Sequence, residues 1–138
     1  MKSIFSIIII LFSISNAQAQ TGSWKIKLNG KILLSTNKED EKLNCKKIKP
    51  AQWNENGYLE ISFTEDEPDT WWRSFHFNDE QDNELIRKDS VTYFKIPAKE
   101  LQRIFTGKKE IRIYTTIAPR DPNLAVRIRR VHLCTLRF

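Results

Sequence analysis

The stretch 23–34, SWKIKLNGKILL, decides the fold class of this chain. Its apolar residues Trp24, Ile26 and Leu28 alternate with lysines, which is the period of a strand with one face in a core. An Asn-Gly pair then separates this run from a second apolar run. Asn-Gly between alternating runs is the strongest short-range signal for a β-hairpin, so the stretch predicts two antiparallel strands.

Six further strands follow from similar patterns, over residues 45–48, 58–63, 71–77, 91–96, 111–117 and 125–138. In the last of these the apolar parity slips at Arg129-Arg130, which predicts a β-bulge. Pro97 and Gly107 bracket apolar residues at helical spacing, so one short helix is predicted over residues 98–106. Together these elements predict an all-β fold, an antiparallel β-sandwich of jelly-roll or immunoglobulin-like type.

The N-terminal stretch MKSIFSIIIILFSISNAQAQ has the features of a secretory signal peptide. Lys2 precedes an apolar run over residues 4–12, and Ala17 and Ala19 occupy the small-residue positions of a cleavage site. The apolar run is too short to span a membrane. We therefore predict cleavage after Ala19, a single sandwich domain over residues 20–138, and a periplasmic or secreted location.

Charge is distributed unevenly along a chain whose formal net charge is +6. Residues 38–89 carry a net charge of −6, whereas residues 98–138 carry +7. The basic C-terminal third suits an anionic partner, although the two regions would also neutralise each other in the folded chain. Nucleic acid is not expected as a partner, because the chain shows an export signal and no nucleic-acid-binding motif.

The two cysteines of the chain, Cys45 and Cys134, are expected to form a disulfide, because export places them in an oxidising compartment. The alternative is that both are separately buried thiols, which behave as small apolar side chains.

The segment 71–78, WWRSFHFN, turns alternate side chains to opposite faces of its strand. One set is mostly apolar and is expected in the core. The other set is polar apart from its tryptophan and is expected to face solvent. Its candidate ligand-binding residues are Trp72, Ser74 and His76. A flat indole beside polar groups suits stacking against a sugar or a peptide, and the alternative is that a loop or a long side chain covers Trp72.

Arginines at two places in the sequence have both a structural and a ligand-binding interpretation. Arg73 is a charged residue on the strand face whose other residues are apolar. We expect it to pair with Asp69 or Asp79 rather than with an anionic ligand. Arg127 and Arg129 share one parity of the predicted last strand, where they are candidate ligand-binding residues for a carboxylate or phosphate. The alternative for these two is cross-strand pairing with acidic residues.

The sequence lacks the motifs of nucleophilic, metal and nucleotide chemistry. With only two histidines, no metal site is predicted, and neither a cofactor nor a catalytic residue is assigned. A Ser-His-Asp site using Ser74 or Ser90 with His76 has the residue types but no supporting motif.

Two parts of the chain look familiar. One is WxRxFxFND over residues 71–79, and the other combines IYT at 113–115, PRDP at 119–122 and residues 125–134. Together they resemble a family of small exported bacterial β-domain proteins, over most of the mature chain. The resemblance implies a stand-alone exported β-domain and brings no activity with it.

The sequence therefore favours a non-catalytic binding protein of the bacterial periplasm or cell surface. Its partner is expected to be a glycan or a protein of the cell envelope, bound through Trp72 and the basic last strand. Two alternatives stay open, a small cell-envelope hydrolase and a structural or protein-interaction subunit that completes its edge strands with a partner. The oligomeric state is not encoded in these patterns.

Overall fold

The computed structural model describes residues 22–53, 56–66 and 71–138, so the predicted signal peptide, residues 1–19, lies outside the described residues. Within those ranges the chain forms nine strands, a single 3-10 turn at Pro50–Gln52 and one α-helix. In chain order they are β1 Gly22–Leu28, β2 Lys31–Thr36, β3 Cys45–Lys47, β4 Tyr58–Glu65, β5 Trp71–Asp79, β6 Glu84–Asp89, β7 Tyr93–Pro97, α1 Ala98–Phe105, β8 Glu110–Pro119 and β9 Val131–Arg137.

The strands form two sheets that enclose one apolar core. The four-stranded sheet has the order β2-β1-β4-β7, and the five-stranded sheet has the order β3-β9-β8-β5-β6. Neighbouring strands are antiparallel in both sheets, except that the short β3 runs parallel to β9. The predicted all-β sandwich is thus confirmed.

The Asn-Gly hairpin has the predicted geometry. Asn29 and Gly30 both have positive φ, at 52° and 80°, which the hairpin turn between β1 and β2 requires. Trp24, Ile26 and Leu28 are buried, as their alternation predicts. The Trp24 ring stacks on Phe63 of β4, and its Nε1 donates to the carbonyl of Leu133, 3.1 Å away in the other sheet. This tryptophan therefore ties the two sheets together.

The helix closes one part of the core. It covers Ala98–Phe105, close to the prediction, and buries Leu101 and Phe105. Gly107, at φ 80°, follows its end. Within the part of the chain that the structure describes, no helix is long and apolar enough to cross a membrane.

Two strands differ from the sequence prediction. β6 was not predicted because four of its six residues are charged; it lies at the edge of its sheet and pairs only with β5. β9 begins at Val131, whereas the pattern predicts a strand from residue 125. The bulge also lies elsewhere: the β8–β9 register shifts at Leu133, not at Arg129-Arg130. This shift lets both parities of β9 contribute buried side chains.

Candidate functional site

The outer face of the five-stranded sheet, the side turned away from the four-stranded sheet, carries most of the candidate residues. The β5 parity that faces outward is polar apart from Trp72, as predicted. Only part of this face is open to solvent, because His76 and Asn78 are buried. The expectation that the whole parity faces solvent is therefore wrong, since polar neighbours cover its second half.

Trp72 is the open aromatic group of this face. Its side chain is 45 % exposed, and the sheet register places Ala118 of β8 beside it. The guanidinium carbon of Arg120 lies 4.3 Å from the centroid of its ring. The sequence did not predict that Arg120 contacts Trp72, because only the pairing of β5 with β8 brings the two together. The guanidinium thus covers one face of the ring, and the rest of the half-exposed indole is an apolar surface next to a positive charge.

Ser74 belongs to a row of polar groups near Trp72. Its Oγ donates to Oδ1 of Asp89 on β6 at 2.7 Å, and Nε of Arg87 donates to the same oxygen at 2.9 Å. The hydrogen bonds from Ser74 and Arg87 lower the pKa of Asp89, so its carboxylate stays ionised at neutral pH. This row offers an acceptor and a charged donor at the surface. The sequence did not identify Asp89 and Arg87 as candidates, because it did not predict β6.

His76 is held in place by both of its ring nitrogens. Nδ1 lies 3.0 Å from Oε2 of Glu84, and Nε2 lies 2.8 Å from Oγ1 of Thr116. Since both nitrogens are engaged, His76 is not positioned to accept a proton from Ser74, whose hydroxyl bonds Asp89. The arrangement has the residue types of a Ser-His-Asp site but not its geometry.

Arg127 and Arg129 lie on an exposed segment, not on a strand. Every residue from 120 to 130 is exposed, and residues 124–130 have no regular secondary structure. Arg129 donates to Oε2 of Glu39 in the loop after β2, which is a structural ion pair. The prediction that these two arginines share a sheet face is wrong, because the chain leaves the sheet before Val131.

Arg130 and its neighbours cover the rest of the outer face. The Arg130 guanidinium packs over the ring of Tyr114 at 4.1 Å and donates to Oδ1 of Asp82 at 2.8 Å. Beneath it, the Tyr114 ring meets His132 edge-on at 5.6 Å. Nε2 of His132 lies 2.8 Å from Oγ1 of Thr135, whereas the buried Nδ1 has no hydrogen-bond partner among the described residues. Burial is the main cause that lowers the pKa of His132.

The stability of the protein is expected to fall as the pH drops below about 6.5, the ordinary pKa of histidine. The folded pKa of His132 lies below that of the unfolded chain, so below this pH the unfolded state binds more protons. One proton limits the slope to about 1.4 kcal/mol per pH unit. Urea unfolding at about pH 7 and about pH 5 measures this change in the free energy of unfolding. A His132→Gln variant should lose this dependence; an unchanged slope would assign it to other groups.

The two cysteines are free thiols, so the structure does not support the predicted disulfide. Cys45 of β3 pairs in register with Thr135 of β9, the residue that follows Cys134. Because adjacent residues of a strand point to opposite faces, Cys45 and Cys134 are directed to opposite sides of the same sheet. Burial is the main cause that raises the pKa of the Cys134 thiol to about 12.

Arg73 is buried on the core side and forms the kind of ion pair expected, but with a different partner. Its guanidinium donates to the carboxylate of Glu65, with Nη2 3.1 Å from Oε2. Asp69, one predicted partner, lies outside the described residues. Asp79, the other, accepts a hydrogen bond from Nζ of Lys108 at 2.8 Å. Arg73 is therefore a structural residue, not an anion-binding one.

Among the described residues, no group of three histidine, cysteine, aspartate or glutamate side chains is placed to hold a metal ion. Comparison of the chain with family models, with curated proteins and with solved structures found no match in any of the three. The family resemblance noted in the sequence stays a prediction, and the case for a function depends on the geometry of the outer face.

Proposed function

We propose that this chain is a non-catalytic, exported binding protein of the bacterial periplasm or cell surface. It binds a glycan of the cell envelope on the outer face of the five-stranded sheet. The observation that carries the proposal is the exposed ring of Trp72 on an otherwise polar face.

The groups around Trp72 suit a sugar. An indole ring stacks on the apolar face of a pyranose, while neighbouring hydrogen-bonding groups fix its orientation. Ser74, Asp89 and Arg87 supply such groups in one connected row, and Asp89 and Arg87 are both exposed. Arg120, whose guanidinium lies over one face of the ring, adds a positive charge, which favours a glycan that carries acidic groups.

The non-catalytic role is supported by the arrangement of His76, whose ring nitrogens bond Glu84 and Thr116. Export is supported by the N-terminal stretch that ends at Ala19, a feature of the sequence alone. Mature protein recovered from a periplasmic fraction is therefore expected to begin at Gln20.

Replacing Trp72 with alanine is expected to weaken glycan binding at least tenfold, because the ring supplies the stacking surface. The measurement is a fluorescence titration of the mature protein with peptidoglycan fragments and other cell-envelope glycans. Tyr93→Ala is the matched control, since Tyr93 is an exposed aromatic residue on the other sheet and should not change the affinity.

Two outcomes would contradict the proposal. Equal affinity of the Trp72→Ala variant and the wild type would remove the tryptophan from the site. Release of reducing ends from the glycan by the wild type would replace the binding role with the hydrolase alternative.

A further inference from the structure

The hairpin of β8 and β9 is paired over only part of its length. β8 pairs with β5 as far as Pro119, whereas its pairing with β9 stops at Thr115, opposite Val131. Within the part of the chain that the structure describes, residues 116–119 therefore have a partner strand on one side only. The structure describes both this stretch and residues 124–130, and no backbone hydrogen bond joins the two. We call the unpaired side of residues 116–119 the open edge.

Residues 124–130, LAVRIRR, have the pattern of a strand but no strand partner. Leu124, Val126 and Ile128 recur at every second position and are 52 %, 40 % and 57 % exposed. Aliphatic side chains at this period form the face that a strand normally buries against its surroundings. Among the described residues, neither this segment nor the open edge is hydrogen-bonded to a neighbouring strand.

Arg129 of this segment forms an ion pair that a closed hairpin would not allow. In a closed hairpin the observed register would place Arg129 opposite Ile117, on the core side of the sheet. Instead, Arg129 donates to Glu39, whose other carboxylate oxygen accepts the N–H of His132 at 3.1 Å. Closing the hairpin would break the Arg129–Glu39 pair and place Arg129 on the core side, whereas a strand from another molecule would pair with the open edge without either change.

We propose that the open edge accepts an extended, acidic segment of another protein, which adds a strand between β8 and residues 124–130. Main-chain hydrogen bonds supply the affinity in this mode of recognition, and side chains supply the specificity. The apolar side chains of the incoming segment cover Leu124, Val126 and Ile128. Its carboxylates meet the basic segment 124–130, where Arg127 is exposed and where Arg129 and Arg130 already bond Glu39 and Asp82. This site uses backbone groups of residues 116–119 and adjoins the glycan site, because Ala118 lies beside Trp72 in the sheet register.

The test uses the mature protein and two ten-residue peptides, one alternating valine with glutamate and the other alternating valine with lysine. Those amides of Thr116, Ile117 and Ala118 that point away from β5 are expected to exchange hydrogen at least tenfold more slowly with the glutamate peptide. The lysine peptide should bind at least tenfold more weakly.

Variants distinguish binding at this site from non-specific binding of the peptide. A Leu124→Ser/Val126→Ser/Ile128→Ser variant should lose at least tenfold in affinity for the glutamate peptide. Ile32→Ser is the matched control, because Ile32 is 56 % exposed on the other sheet and should leave binding unchanged. The Trp72→Ala variant separates the two sites, since a loss of glycan binding should leave peptide binding intact.

Protection by the glutamate peptide alone would support the proposal. The same protection by both peptides would overturn the acidic partner, and no protection by either would overturn the site. Protection that rises with protein concentration in the absence of peptide would make a second copy of this chain the occupant, which also overturns the proposal.

Discussion

Replacing Glu65 with glutamine is expected to lower the free energy of unfolding by about 3 kcal/mol. The Arg73 side chain is only 2 % exposed, and that of Glu65 is 21 % exposed. The guanidinium also donates to Oγ1 of Thr115 at 2.9 Å and lies over the Phe63 ring at 3.5 Å. Glutamine keeps the volume but leaves the buried cation without its counter-charge. Urea unfolding monitored by tryptophan fluorescence gives the free energy directly.

Two further variants show whether burial is the cause. A double variant, Glu65→Leu with Arg73→Met, removes both charges and should lie much closer to the wild type than Glu65→Gln does. Glu60→Gln, on the same strand, breaks a pair whose cation is exposed, since the Lys95 side chain is 43 % exposed and its Nζ lies 3.8 Å from the carboxylate. This variant should cost less than about 1 kcal/mol. Equal losses for Glu65→Gln and Glu60→Gln would show that solvent reaches Arg73.

Local patterns were sufficient for the features that depend on neighbours in sequence. The Asn-Gly turn fixes its own backbone geometry, so the first hairpin was predicted with its turn. The helix was predicted because Pro97, Gly107 and a helical period agree. The exposure of Trp72 follows from the alternation of β5, since Arg73 and Phe75 point to the opposite face and are buried.

The features that failed depend on strand order and register. β6 carries charges because an edge strand needs only one neighbour, so its sequence reads as a loop. Glu65 reaches Arg73 only because β4 and β5 lie in facing sheets, which no spacing in the sequence reveals. The cysteines were placed on adjacent strands by the fold, and it is their register that separates the side chains.

On the outer face, too, local patterns predicted some features, whereas strand order and register decided the others. The parity argument selected Trp72, Ser74 and His76 together, and all three do lie on one face. It did not show that Glu84 and Thr116 enclose His76, because these residues come from two other strands. Nor did it bring Arg120 to Trp72, or Asp89 to Ser74. The chemistry of this face is therefore a property of the β6-β5-β8 arrangement, not of any single segment.

The native protein is expected to show one reactive thiol, with Cys134 reacting about a thousandfold more slowly than an ordinary cysteine. The thiolate is the reactive form, and an ordinary cysteine thiol has a pKa of about 9. A pKa of about 12 lowers the thiolate fraction of Cys134 at neutral pH by about three orders of magnitude. Cys45 is half-buried at the start of β3 and should react first. Labelling with a maleimide, followed by intact-mass measurement, counts the modified thiols with time.

A Cys45→Ser variant isolates the reaction of Cys134, and urea without reductant provides the reference for the unfolded chain. We expect two thiols to be labelled in urea, because the structure has both cysteines free. If neither were labelled there, a disulfide would join them, and the register of β3 with β9 would have to differ from the one described. Rapid labelling of Cys134 in the folded variant would instead mean that β9 opens often, although it lies between β3 and β8 within the sheet.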